Sequence, residues 1–135
     1  MEKKIAQGTL HKAGEDYLEA ILRLEQEKGT VRSVEVADYL AVSKPSVSRA
    51  VSVLGQAGYL TMKDDRSLRL TRAGRAVAEK IYERHSFFKK LFMDLGVDGE
   101  IAEQDACRIE HDISEDSFER LREMVEKDGI HSERT

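Results

Sequence analysis

A single cysteine, Cys107, leaves the chain no means of forming an internal disulfide, so a disulfide-stapled secreted scaffold is excluded and a reducing cytoplasm is expected. No apolar run approaches the roughly 18 residues that a membrane-spanning helix needs. The opening stretch MEKKIAQGTL has no apolar h-region, so a secretory signal is not expected either. Internal repeats and low-complexity segments are missing as well, which excludes solenoids and biased tails.

What is present fits a chain with a real core. Apolar residues make up 40% and charged residues 36% of 135 positions, enough to bury one compact domain or two small ones sharing a long helix. The overall charge of -4 argues weakly against a nucleic-acid binder, but the charge is unevenly placed. Residues 30–90 hold 12 basic and 6 acidic residues, a local +6, whereas residues 91–135 hold 5 basic and 14 acidic ones, a local -9. Contact with a polyanion is therefore expected in the middle of the chain.

The pattern of elements gives that expectation a shape. Tyr17, Leu18, Ile21, Leu22 and Leu24 form an apolar stripe on a first helix running from about Leu10 to Lys28, closed by Gly29. A short second helix follows Ser33 as N-cap, with Val36, Ala37 and Leu40 inward. After Ala41-Val42-Ser43 a third helix begins near Lys44-Pro45. Pro45, the only proline, falls in its first turn, where the missing N–H does no harm. Val47, Ala50, Val51 and Leu54 line its inner face up to Gly58. Residues 59–63 and 67–70 alternate apolar and polar around the turn Asp64-Asp65-Arg66, a short hairpin. Two short helices joined by a tight turn and followed by a hairpin make a winged helix-turn-helix.

Thr71 then caps a long helix to about Leu95, with the stripe Val77, Ile81, His85, Phe88, Phe92 and Leu95 and a stop at Gly96. Asp98 caps a fifth helix to about Asp112 and Ser114 a sixth, whose narrow apolar face of Phe118, Leu121 and Val125 suits a dimer contact. The expected fold is mainly α: a winged helix-turn-helix with a small two-stranded wing over residues 1–73, an all-helical metal-binding and dimerisation domain over 74–128, and a disordered tail over 129–135.

Ser46, Ser48, Arg49 and Ser52 point away from the apolar stripe of the third helix, and short polar side chains let a helix sit deep in the major groove. Ser43, Lys44, Pro45, Ser46, Ser48 and Arg49 are the expected DNA contacts on this helix. Pro45 suits a thymine methyl, and Arg49 a guanine edge or a phosphate. Lys63 and Arg66 on the wing are expected on the backbone or in the minor groove.

A second constellation is metal-like. In Cys107-Arg108-Ile109-Glu110-His111, the thiol, carboxylate and imidazole lie at i, i+3 and i+4 on one helix face. Asp16 and Glu19 share a face of the first helix, and His85 lies in the stripe of the fourth. Singly these are a charged face, a packed histidine and a small buried cysteine. Together, three helices presenting ligand-type side chains towards a core point to a divalent transition metal, because buried carboxylates need partners.

The stretch Glu15-Asp16-Tyr17-Leu18-Glu19, the helix Val42-Ser43-Lys44-Pro45-Ser46-Val47-Ser48-Arg49, the junction Leu70-Thr71-x-x-Gly74, and the pairs Arg84-His85 and Ile109-Glu110-His111 together resemble the metal-dependent repressors typified by diphtheria toxin repressor and the manganese transport regulator. The resemblance covers about residues 10–127 in order. It implies a homodimer activated by Mn(II) or Fe(II) that binds palindromic operator DNA and represses metal-uptake genes, with no membrane partner and no enzymatic activity. It implies the ligand set Asp16, Glu19, His85, Cys107, Glu110 and His111. Cys107 stands where the manganese type has a carboxylate and the iron type a cysteine, while Asp16 stands where the iron type has a methionine. Lys89 replaces an acidic residue of the iron type's ancillary site. Glu103, one turn before Cys107, is either an extra ligand or a solvated acid, and the second reading is preferred. The soft thiolate and the hard carboxylates leave the choice between Mn(II) and Fe(II) open. The alternative reading is a winged-helix regulator that responds without metal to a small ligand or to the redox state of Cys107.

Overall fold

A computed structural model describes Leu10 and residues 12–128. Its elements are α1 (Lys12–Lys28), α2 (Ser33–Leu40), α3 (Lys44–Gln56), β1 (Leu60–Met62), β2 (Leu68–Leu70), α4 (Arg72–Asp94), α5 (Gly99–Asp112) and α6 (Glu115–Asp128). The chain divides into two compact units, and the division falls inside α4, between Lys80 and Ile81. The expected disordered tail, 129–135, lies outside the described residues.

The first unit is the winged helix-turn-helix. Leu18, Ile21 and Leu22 of α1, Val36 of α2, Val47 and Leu54 of α3 and Leu68 of the wing share one core. β1 and β2 pair antiparallel with Leu60 opposite Leu70 and Met62 opposite Leu68. Leu68 N–H also donates to the Val31 carbonyl at 2.8 Å, which pins the wing to the segment before α2.

Local chemistry explains the joints. Ser43 caps α3 by accepting from Ser46 N–H at 3.2 Å. α2 differs from expectation: Arg32, not Ser33, is its N-cap, and the Glu35 carboxylate accepts from Arg32 N–H at 2.8 Å, the returning half of a capping box. α2 ends at Ala41 in the left-handed region (φ 57°), with Val42 N–H donating to the Ala37 carbonyl and Ala41 N–H to Asp38. This Schellman closure makes the sharp turn between α2 and α3. At the wing, Asp65 accepts from Ser67 N–H and Oγ at 2.9 and 2.6 Å. Arg66 takes the left-handed position (φ 71°), at a cost of about 1 kcal/mol that glycine would avoid, so the turn keeps a cation at its tip.

α4 starts on a tight contact. Thr71 Oγ1 donates to the Gly58 carbonyl at 2.7 Å and accepts from Gly74 N–H at 3.1 Å. Gly74 lies so close to Tyr59 that a Cβ there would stand 1.9 Å from the Tyr59 carbonyl oxygen.

The second unit has its own aromatic core. Phe88, Ala106 and Phe118 are buried at its centre, with Phe87, Phe92, Ile109 and Leu121 packed around them. Phe87 meets Phe88 and Phe118 edge-on at 5.2 and 5.3 Å, the preferred quadrupolar arrangement. Two expectations fail here. Leu95 does not continue the stripe of α4 but is 73% exposed, because the helix stops at Asp94 and Gly96 (φ 99°) turns the chain away. Phe118 is not available as an exposed dimer face, since it is consumed by the core. The large apolar side chains this unit leaves exposed, among the described residues, are Tyr82, Met93, Leu95, Ile101 and Met124.

Candidate metal centre

α4 carries His85 on its buried face, and α5 presents Glu103, Cys107 and Glu110 along one face. α5 is capped by Asp98, whose carboxylate accepts from Glu100 N–H at 3.1 Å. His85 and Glu110 are 4% and 1% exposed, and the His111 imidazole is buried too. The Glu110 carboxylate sits between two rings, with Oε1 2.7 Å from His85 Nδ1 and Oε2 3.1 Å from His111 Nε2. Cys107 Sγ lies 3.8 Å from the same His85 Nδ1. Donor atoms of His85, Cys107 and Glu110 all fall within 4.8 Å of one another. Donors that share one ion at about 2.0–2.3 Å stand roughly 3–4.5 Å apart, so these three would hold a transition metal once the 2.7 Å His85–Glu110 hydrogen bond opens by a few tenths of an ångström.

Electrostatics support the fit. The Cys107 sulfur and the Glu110 carboxylate, together with Glu103, raise His85 to about 10 against the pull of burial, which would lower it. Burial acts to raise Glu110, but hydrogen bonds from His111 and His85 outweigh it and hold the carboxyl below its ordinary 4.5. An anionic pocket that keeps an imidazolium at neutral pH is a pocket with a place for a cation. Metal entering there must displace the His85 proton.

This sets a pH dependence for the metal-free protein. With its folded pKa raised, His85 contributes stability that is complete below about 6.5 and is lost as pH rises towards about 10. Glu110, with its folded pKa lowered, contributes stability that is lost as pH falls below about 4.5. Thermal unfolding of the metal-free protein should therefore show a falling midpoint between pH 6.5 and 10, while metal affinity rises over the same interval. A midpoint flat across that range would contradict the buried imidazolium.

His85, Cys107 and Glu110 thus come together within the second unit, while His111 meets the other oxygen of Glu110. Asp16 and Glu19 stand one turn apart on α1 in the first unit, Asp16 half-buried and Glu19 buried, with Glu19 paired to Arg23 at 3.2 Å. One residue's role escaped the sequence reading. Arg84 is buried and its guanidinium donates to the Glu110 and Ile113 carbonyls at 3.2 and 2.7 Å and to Glu115 at 3.0 Å, lying over the Phe118 ring. It thereby satisfies the last carbonyls of α5 and ties that helix to α6. Glu103 is not simply solvated: it accepts from His85 Nε2 and from Lys89, each at 3.1 Å. Periodicity marks a buried arginine as an interruption, so only its place beside His85 in the sequence hinted at a role.

In the first unit, Ser43, Lys44, Pro45, Ser48, Arg49, Lys63 and Arg66 are exposed, and Ser46 is half-buried with its Oγ bonded to Ser43 Oγ at 2.9 Å. A groove of about 520 Å³ between α2, α3 and the wing is lined by Val34, Lys44, Ser48, Ser52, Met62 and Arg66. The helix surface and the wing thus offer polar and cationic groups on either side of one channel.

Comparison with known proteins agrees with both units. Residues 9–68 match the family described as iron dependent repressor, N-terminal DNA binding domain, and residues 71–129 match iron dependent repressor, metal binding and dimerisation domain. The transcriptional regulator MntR of Escherichia coli O6:H1 is 36% identical over 115 residues, covering 85% of this chain and 74% of that protein. The chain belongs to the iron-dependent repressor family. The HTH-type transcriptional regulator MntR of Bacillus velezensis is 35% identical over 83% of this chain and 79% of its own length. The solved structure of the manganese regulator SloR superposes with a TM-score of 0.75 at 25% identity, covering 84% of this chain and 53% of that one. The family is thus reached independently through the DNA-facing half and the metal-facing half, and no helix among the described residues is long and apolar enough to cross a membrane.

Proposed function

We propose that this protein is a cytoplasmic, metal-dependent transcriptional repressor of manganese or iron homeostasis, binding palindromic operator DNA as a homodimer. The observation that carries the reading is the convergence of His85 Nδ1, Cys107 Sγ and a buried Glu110 carboxylate on one point of a helical unit that follows a winged helix-turn-helix. His111 extends the ligand set, and Asp16 and Glu19 complete it as the family resemblance implies. Residues 1–73 are assigned to DNA and residues 74–128 to metal binding and dimerisation. Ser43, Lys44, Pro45, Ser46, Ser48 and Arg49 would enter the major groove, with Lys63 and Arg66 on the flanking backbone. The relatives named as transcriptional regulators favour a regulatory site over a catalytic one.

Held by these residues, a divalent metal would supply positive charge among the clustered acidic ligands and would shift the population towards the DNA-competent dimer to the extent that this state binds it more tightly. A hundredfold preference for that state is worth about 2.7 kcal/mol. The residues present suit either ion: Cys107 favours Fe(II), while the carboxylates favour Mn(II).

The test is to select duplexes from a random pool with Mn(II)- or Fe(II)-loaded protein under anaerobic conditions, then to measure binding to them with and without chelator. Enrichment of a palindrome whose half-sites are about one helical turn apart, and release by chelator, is expected. Binding that ignores chelator would displace this reading in favour of a regulator sensing a small ligand or Cys107 oxidation.

A further inference from the structure

The outer side of His85 carries information that the proposed ligand set does not use. An imidazole has two nitrogens, and a metal takes one of them only when its proton is gone. Nδ1 faces Glu110 at 2.7 Å and Cys107 at 3.8 Å; Nε2 faces Glu103 Oε1 at 3.1 Å. When a cation displaces one of its two protons, two neutral tautomers compete. With the proton on Nδ1, the ring donates to Glu110 and is closed to a cation. With the proton on Nε2, Nδ1 offers its lone pair to the space between Cys107 and Glu110.

We propose that Glu103 is a positioning residue for the metal centre, holding the Nε2 proton of His85 so that the proton a metal displaces is the one on Nδ1, beside the Cys107–Glu110 pair, while Lys89 keeps the Glu103 carboxylate outside the ligand set. The inference rests on the metal-binding reading above. His85 is 4% exposed, so water has little access to set its tautomer and a hydrogen-bonded neighbour must do so. A cation between Cys107 and Glu110 would replace the Nδ1 proton as the partner of Glu110, leaving the Glu103 carboxylate to keep the remaining proton on Nε2.

Geometry also argues against Glu103 as a ligand. The oxygen that meets His85 is the one that meets the Lys89 ammonium, again at 3.1 Å. Glu103 would have to break both contacts to enter a coordination sphere through that oxygen. The other oxygen, 3.9 Å from Cys107 Sγ, lies beside the thiol. Lys89 and His85 stand at i, i+4 on α4, as do Cys107 and Glu103 on α5, so the pairing is built into two rigid helices.

The test is an anaerobic titration of the full chain with Co(II), which reports thiolate ligation as a sulfur-to-metal absorption band and coordination number as ligand-field intensity. Glu103→Ala should weaken Co(II) binding by about 10- to 100-fold with both features preserved. Glu103→Gln, which keeps an acceptor, should recover most of the loss. Unchanged affinity in Glu103→Ala, or a changed ligand-field intensity showing a lost ligand, would overturn the assignment. So would a loss of far-UV circular dichroism accompanying the weaker binding. A wild-type chain that develops no sulfur-to-metal band would overturn the metal centre itself, whereas a wild-type band with an indifferent Glu103→Ala overturns only the positioning role.

Discussion

Replacing Glu110 by glutamine is expected to lower metal affinity by at least about a hundredfold, roughly 2.7 kcal/mol, and to abolish retention of DNA by metal. The change is isosteric, so packing is preserved and the loss is electrostatic. Glu110 is 1% exposed and holds one oxygen to each of two imidazoles. A neutral amide removes an anionic donor and leaves the cation charge of His85 without its buried counterion. The same variant alters the metal-free protein in a way that identifies the cause. Glu110 is one of the groups that raise His85 towards 10, so removing its charge should bring the ring closer to 6.5 and flatten the decline of stability above neutral pH. Calorimetric metal titration and unfolding at several pH values measure the two effects on one sample. A Glu110→Gln protein with native metal affinity would remove Glu110 from the ligand set.

Gly74→Ala should destabilise the first unit by about 3 kcal/mol or more, at the upper end of overpacking costs, and lower its melting midpoint by more than about 10 °C. The added Cβ would lie 1.9 Å from the Tyr59 carbonyl oxygen and 2.9 Å from its carbon, so backbone must move. That backbone is held on several sides: Tyr59 N–H donates to Leu54 at 2.9 Å, Thr71 N–H to the Tyr59 carbonyl at 3.1 Å, and Thr71 Oγ1 to Gly58 at 2.7 Å. Relief would require parting the start of α4 from the strand that begins the wing. Gly55→Ala is the matching control. Its Cβ would meet nothing closer than 3.6 Å, so the substitution should be neutral or slightly stabilising through helix propensity of up to about 1 kcal/mol. Thermal unfolding of both variants separates the clash from a general loss of glycine flexibility; equal midpoints would refute the contact.

The two halves of the centre were unequally readable. Cys107, Glu110 and His111 declare themselves in sequence because i, i+3, i+4 spacing on a helix puts them on one face whatever the helix packs against. His85 is a weaker signal, since a histidine in an apolar stripe is ordinarily a core residue. Its assignment waits on the 2.7 Å contact with Glu110. Glu103 is hard to read for a similar reason: one turn before Cys107 it is another acid on an acidic helix, and its contacts with Lys89 and His85 come from α4.

From its sequence alone, this protein declares a winged helix-turn-helix followed by a helical unit. Caps, glycine stops, a proline at a helix start and apolar periodicity act over a few residues, and they determine where helices begin and end. Even so, the cap of α2 fell to Arg32 rather than Ser33, because the Glu35 side chain satisfies Arg32 N–H. Tertiary structure alone decided which buried charges are partners. Arg84 reaching the end of α5, Glu110 meeting the His85 ring and Phe118 drawn into a core with Phe88 rather than left on a surface all depend on residues 25 to 30 positions apart meeting across helices. Periodicity records which face of a helix avoids water. It does not record which side chain on another helix will neutralise a charge left there, and that pairing is what turns a buried acid and two histidines into a candidate metal centre.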